Sequence, residues 1–258
     1  METIFLSSFF LVFGASIGSF LNVLIDRLPN DQGIHGRSKC DYCGKKIAWY
    51  DLFPVFSYFI LGGKCRHCKK KLSFQYPLIE VLTGVIFLLV FLSGKGSSYW
   101  GLFALLGIVS SLIVIFVSDL KYHLISDYLL GSLTIFSFVL HLTNLVSWQF
   151  ILKEQVASAL IVSLPIFLIY FLSHEKAMGL GDVYLTAIMG FLLGWKAGFL
   201  ALYFAFVTGA IIGIILLIRH KRKIKSRIPF GPFLVAGTVL MIFWGDKALD
   251  LVRSIYGF

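Results

Sequence analysis

The sequence predicts an all-α polytopic membrane protein of about eight transmembrane helices, with a small metal-binding loop domain between the first and second helices. Three observations predict it. Of the 258 residues, 58% are hydrophobic and only 14% charged, and the mean hydropathy is +0.88, a balance too apolar for a soluble globular domain. The apolar residues fall in runs near the roughly 20 residues that cross a bilayer core at about 1.5 Å each. The four cysteines all lie in the one long polar stretch. With 24 glycines and 6 prolines spread through apolar runs, collagen, low-complexity disorder and disulfide-rich secreted scaffolds are excluded.

Runs with at most one Asp, Glu, Lys or Arg cover residues 3–25, 77–92, 99–118, 128–148, 156–172, 183–195, 197–218 and 231–245; the sixth is the shortest. The first reads as a retained helix rather than a signal peptide, because Glu2 stands where a basic region belongs, the run is long and no Ala-x-Ala site follows. Lys and Arg divide by loop parity eighteen against five. The first loop (26–76) carries ten, and Lys121, Lys176 and six residues of 219–227 join them. Basic residues collect in cytoplasmic loops, so both termini are expected outside and the first loop in the cytosol. The +10 net charge then reports topology and contact with anionic lipid, not nucleic acid. Gly14/Gly18, Gly190/Gly194 and Gly209/Gly213, each pair four apart, are expected to let helix backbones pack closely in lipid. No internal repeat is expected. The division is a first helix (1–25), a four-cysteine domain (26–76) and a seven-helix membrane region (77–258).

In the loop, Cys40-x-x-Cys43 and Cys65-x-x-Cys68 stand 21 residues apart. Two residues between thiolates let a tight turn present both sulfurs to one ion, and two such turns complete the four-thiolate shell of structural Zn²⁺. A reducing cytosol argues against disulfides, and neighbouring Lys and Arg favour thiolates. A redox or iron centre and a metal-free loop are the alternatives. Zinc is expected to fold the segment, which buries little core of its own. His67 is expected to be a bystander, since four cysteines fill the shell.

Among thirteen acidic residues, Asp119, Asp127 and Asp182 fall at helix ends. Asp119 closes the third span and Asp182 opens the sixth within Gly179-Leu180-Gly181-Asp182, both on the cytoplasmic side by parity. Two carboxyls a few ångströms apart cannot both ionise, and such a pair supplies a general base for water and a general acid for a leaving amine. Ordinary interfacial charges, with Asp182 as a helix cap, are the alternative.

These residues resemble the type IV prepilin peptidases, polytopic GxGD-type aspartyl proteases, over nearly the whole chain. The resemblance rests on Gly14-Ala15-Ser16-Ile17-Gly18-Ser19-Phe20-Leu21-Asn22-Val23 leading to Asp26-Arg27-Leu28-Pro29, on the paired cysteines followed by Gln75-Tyr76-Pro77-Leu78-Ile79-Glu80, on Asp119 eight residues before Asp127, on Gly179-Leu180-Gly181-Asp182, and on Pro229-Phe230-Gly231-Pro232. It implies Asp119 and Asp182 as the catalytic pair. Supporting positions would be Asp127, Gly179, Gly181, Glu80, Asn22 and Arg27. Arg27 also suits an ordinary membrane-flank anchor, and Glu80 could oppose a helix dipole or serve methyl transfer. One departure is Ile125-Ser126, where the family often has proline before the acidic position.

The resemblance also implies cleavage of the basic leader of prepilins and pseudopilins at the inner membrane of a bacterium, followed by N-methylation from S-adenosylmethionine. No Walker or dinucleotide motif and no soluble methyltransferase pattern accompanies it. A transporter and a non-catalytic assembly factor with a zinc-stabilised docking loop are the competing classes, the first disfavoured because the acids cluster at one face rather than the midplane. Oligomeric state has no signal in the sequence.

Overall fold

A computed structural model describes residues 2–30, 33, 36–40, 42–96, 98–143, 151–218 and 229–256. The basic run 219–227 and the end of the expected fourth span lie outside the described residues. Every regular element among the described residues is helical, with two isolated β-bridges. The chain forms two compact units, Met1–Val114 and Ile115–Phe258.

The first unit contains α1 (Glu2–Arg27), a 3₁₀ turn (Leu28–Asn30), a loop with the 3₁₀ turn Trp49–Leu52 and the short α2 (Phe56–Ile60), then α3 (Gln75–Ser93) and the first part of α4 (Tyr99–Tyr122). Helices α1 and α3 pack through glycine. A Cβ on Gly14 would lie 2.8 Å from the Phe87 Cβ, one on Gly18 2.8 Å from the Glu80 Cα, and one on Gly84 2.8 Å from the Leu11 carbonyl oxygen. This is the close backbone approach expected of Gly14 and Gly18. Exposed Ile4, Phe5, Phe9 and Val12 give α1 an apolar outer face suited to lipid.

The second unit contains the end of α4, α5 (Asp127–Thr143), α6 (Val156–Ser173), α7 (Leu180–Ile218) and α8 (Gly231–Tyr256). Straight, the 39 residues of α7 would run about 58 Å, twice a bilayer core. They do not run straight. Gly194 leaves the helix at φ 77°, ψ 169°, and a Cβ on Gly198 would lie 3.5 Å from the Gly190 Cα. An unbroken helix would hold those residues about 12 Å apart. The chain therefore folds back at Gly194, dividing α7 into α7a (180–193) and α7b (195–218), the expected sixth and seventh spans joined with no intervening loop. Val162 of α6 packs against both arms, at 2.9 Å from a Cβ on Gly190 and on Gly198. Gly190 thus packs as expected, but Gly194 turns the chain instead, and Gly209 meets the Phe233 ring at an ordinary 3.4 Å.

Breaking the helix leaves carbonyls at the end of α7a without their usual donors. Buried His141 of α5 places Nε2 2.9 Å from the Phe191 carbonyl oxygen and its ring edge-on to Phe191. Among the described residues, six helices are long and apolar enough to cross a membrane. With α7 split and the shorter α5 added, the described residues hold the eight apolar segments the sequence predicts.

Candidate active site

The acidic site belongs to the second unit. Helix α4 ends where His123 takes the left-handed conformation at φ 55°, its N–H donating to the Asp119 carbonyl at 3.0 Å. This leaves Ser118 and Asp119 buried in the final turn, with Asp119 Oδ2 lacking a hydrogen bond of good geometry among the described residues and the Gly231 backbone N–H the donor nearest the carboxyl. A buried, unpaired carboxylate oxygen is a place where a water or a ligand group is wanted.

Asp182 is half-buried as the third residue of α7a. The Gly179 N–H donates to its Oδ2 at 3.3 Å, while the Asp182 N–H donates to the Gly179 carbonyl at 3.2 Å. This is the acidic half of a capping box: Asp182 reaches back from inside the helix to the Gly179 N–H, and, because glycine has no side chain to return the bond, the Asp182 N–H closes the turn on the Gly179 carbonyl.

Two glycines bring these ends together. A Cβ on Gly181 would sit 3.2 Å from the Ile125 Cβ, and one on Gly231 would sit 2.5 Å from Asp119 Oδ2 and 3.3 Å from the Ile125 Cδ1. Ile125 therefore touches both the Gly181-Asp182 turn and the Gly231 turn that covers Asp119, and the two carboxyls lie within Coulombic reach of one another. Three chain segments about 50 residues or more apart converge here. Asp127, exposed in the first turn of α5, takes no part in these contacts. Gly179 contributes its N–H; a Cβ there would meet Asp182 Oδ2 only at 3.9 Å. Sequence reasoning used Ile125 only as a departure from a motif and Gly231 only as part of one. Their contact role carries no spacing signal.

The first unit holds the metal-ligating cluster. The sulfurs of Cys40, Cys43, Cys65 and Cys68 lie within 4.8 Å of one another, with Cys40 and Cys68 at 3.8 Å. A tetrahedron of thiolates at about 2.3 Å from Zn²⁺ has edges of roughly 3.8 Å, so the sulfurs fit that ion. The two turns repeat each other. The Cys40 N–H donates to the Lys45 carbonyl and the Cys65 N–H to the Lys70 carbonyl; the N–H groups of Gly44 and Lys69 return to the Cys40 and Cys65 carbonyls; bridges join Lys39 to Lys46 and Lys64 to Lys71. Gly44 and Lys69 occupy the same left-handed position at φ 67° and 59°. Residues 39–47 and 64–72 are thus a nine-residue repeat, Lys-Cys-x-x-Cys-x-Lys-Lys-apolar, that the absence of longer repeats hides.

Backbone N–H groups of Cys68 and His67 hold the Cys65 thiol down at about 6, while burial pushes Cys40 up to about 11. Only a cation would keep both as thiolates. His67 is not among the converging ligands.

The amino-terminal motif residues fasten this unit. Buried Asn22 donates from Nδ2 to the Gly18 and Tyr76 carbonyls, each at 3.2 Å, and the Tyr76 hydroxyl donates to Asp26 Oδ2 at 3.0 Å. Arg27 donates to the Gly33 carbonyl at 3.3 Å. Glu80, buried in α3, accepts the Val55 N–H at 2.7 Å through Oε2. Val55 sits at φ 65°, ψ −54° with the Phe56 N–H donating to the Pro54 carbonyl at 2.6 Å, a γ-turn of the strained hand that a β-branched residue rarely adopts.

Two family models match. The Bacterial Peptidase A24 N-terminal domain covers residues 12–93, the α1, four-cysteine and α3 region, and the Type IV leader peptidase family covers 106–214, which includes Asp119 and Asp182. A protein of Aeromonas hydrophila called Prepilin leader peptidase/N-methyltransferase is 30% identical over 269 residues, spanning 93% of this chain and 91% of its own. The chain belongs to the type IV leader peptidase family. Relatives of the same name from Pseudomonas putida and Myxococcus xanthus are 29% and 34% identical; the first match covers 100% of this chain and 97% of the relative, the second 83% and 64%. No solved structure matches. A leader-peptidase chain of this kind is a multi-pass protein of the bacterial inner membrane, and both clusters described above fall inside the matched segments.

Proposed function

We propose that this chain is a bifunctional membrane enzyme that cleaves the basic leader of prepilins and pseudopilins and N-methylates the new amino terminus. The observation that carries the reading is the meeting, at Ile125 and Gly231, of the helix ends that bear Asp119 and Asp182, both carboxyls lying within the segment 106–214 matched by the leader peptidase family.

One carboxylate takes a proton from water as the water oxygen attacks the scissile carbonyl carbon. The other carboxyl, protonated, gives its proton to the leaving amine nitrogen as the C–N bond breaks. Both sites face the cytosol and both termini lie outside, because a basic leader stays on the side where basic residues accumulate. The scissile bond then meets the acidic pair at the inner interface. Gly179 and Gly181 support the pair by their contacts, Asp127 is given a supporting place by the resemblance alone, and residues 77–258 form the peptidase region.

Residues 26–76 serve methyl transfer, with zinc held by Cys40, Cys43, Cys65 and Cys68 as a structural ion. S-adenosylmethionine would supply the methyl group. A cleft of about 300 Å³ in the loop, lined by Tyr58, Phe59, Gly62, Gly63, Lys71 and Leu72, offers no acidic side chain for ribose hydroxyls and does not fit the donor by itself. Support for methylation is therefore the resemblance of the whole amino-terminal region.

The test is co-expression of a tagged prepilin with wild type, Asp119→Asn and Asp182→Asn, following leader loss and terminal methylation by mass spectrometry. Cleavage and methylation by wild type, with cleavage at least about 100-fold slower in both variants, is expected. Cleavage near the wild-type rate in either variant at normal protein level overturns the pairing.

A further inference from the structure

The segment between the two cysteine turns is unlike the rest of the loop. From Trp49 to Ile60 it reads Trp-Tyr-Asp-Leu-Phe-Pro-Val-Phe-Ser-Tyr-Phe-Ile, and its large apolar side chains point outward: Trp49 is 74% exposed, Phe53 58%, Phe56 64%, Phe59 65% and Ile60 80%. A run of exposed aromatic side chains of this density marks a contact surface. Two features name its partner.

The first is depth. Val55, between Phe53 and Phe56, is bonded to Glu80, and Glu80 is five residues into α3, a helix long and apolar enough to span a bilayer. At about 1.5 Å per residue the γ-turn is held roughly 7 Å along from the start of that helix. Its flanking aromatics therefore lie at the level where acyl chains meet headgroups, the zone in which Trp, Tyr and Phe accumulate. The strain at Val55 shows that the position is imposed by the Glu80 carboxylate rather than preferred by the turn.

The second is charge. Between residues 39 and 71 there are eight Lys and Arg against two Asp, placed on both sides of the aromatic segment, and seven of the eight are exposed lysines. Headgroups of anionic lipid complement that frame.

We propose that Trp49–Ile60 is an interfacial foot, seated in the leaflet from which the loop emerges, with Glu80 setting its depth and the lysines of the cysteine turns meeting anionic headgroups. Its occupant is lipid, and the membrane thereby fixes the four-cysteine domain at its surface.

The experiment places a photo-crosslinking phenylalanine analogue at position 56, 59 or 60 of the full-length protein in its native membrane, with exposed position 82 of α3 as the lipid-facing reference. Should position 56 disturb the turn, 59 and 60 keep the test intact. Phospholipid adducts at a yield of the same order as at position 82, enriched in anionic over zwitterionic lipid relative to the bulk membrane, are expected. Adducts to protein, whether another part of this chain, a second copy or a substrate, overturn the proposal, as does the absence of any adduct. Lipid adducts mirroring the bulk composition overturn the headgroup contact.

Discussion

The four-cysteine cluster and the acidic cluster each gather groups from separated segments, but by opposite means. The cysteines are placed by local backbone bonds within two copies of one nine-residue turn, so each half is nearly complete in itself and the proposed zinc would join the halves. Asp119 and Asp182 are placed by helix ends and by the absence of side chains at Gly181 and Gly231, so no half is meaningful alone. One site is built by repetition and completed by a ligand; the other is built by packing and needs the whole unit. The two should therefore fail differently.

The largest effect is expected at the cysteines. Replacing Cys40 and Cys65 together by Ser removes zinc binding, which in small four-ligand domains supplies about 10 kcal/mol of folding energy. Elemental analysis should find no zinc, limited proteolysis should cut within residues 36–72, and methylation should be lost while leader cleavage persists. Loss of cleavage in step with zinc would break the proposed separation of the two sites.

Next comes Gly231→Ala, whose Cβ would lie 2.5 Å from Asp119 Oδ2. The carboxyl must move, and a displacement near 1 Å costs on the order of 100-fold in cleavage rate. Gly181→Ala, facing the Ile125 Cβ at 3.2 Å, should cost less, and Ile125→Val, which removes only the Cδ1 at 3.4 Å, should relieve it no more than in part. Both variants should keep full zinc content.

The Glu80 clamp gives a smaller effect. Glu80→Ala strands the Val55 N–H and removes a charge-assisted bond, a loss of about 2 kcal/mol read as faster proteolysis of the loop. Val55→Gly in the same chain should recover part of it, because glycine adopts φ 65° without strain. No recovery would mean that the strain at Val55 is not what Glu80 opposes.

These expectations separate what could be read from residues from what could not. The cysteine spacing declared its site because two residues between thiolates is a local geometric requirement, although the repetition of the flanking lysines was missed. The spans were legible from hydropathy, but the turn at Gly194 was not. A glycine in an apolar run looks the same whether it packs or turns, and only the approach of Gly198 to Gly190 distinguishes them. Asp119 and Asp182 stood out because carboxylates are scarce in apolar sequence, whereas Ile125 and Gly231 are ordinary residues whose meaning is wholly tertiary. Glu80 was visible as a lone acid at the start of a span, and its Val55 partner, 25 residues earlier, was not.

The smallest effect concerns pH. Arg66 contacts the Asp51 carboxylate at 2.6, 2.9 and 3.2 Å, and these bonds hold the Asp51 carboxyl below its ordinary range. A depressed carboxyl contributes stability that is complete above its unfolded value and disappears as pH falls through its folded value. The difference in loop protection between wild type and Asp51→Asn should thus be full at neutral pH and close only below about pH 4. A difference that is already gone at pH 5 would contradict the pairing.

The most direct test of the central claim, that Asp119 and Asp182 act as one unit, is a double-mutant cycle on leader cleavage in membranes, comparing Asp119→Asn, Asp182→Asn and the double variant at matched protein levels. Groups that act as a pair lose nearly everything with the first substitution, so the double variant should cleave no more slowly than either single one, all roughly 100-fold to 10,000-fold below wild type. Losses that add in free energy would show two independent groups and contradict the account.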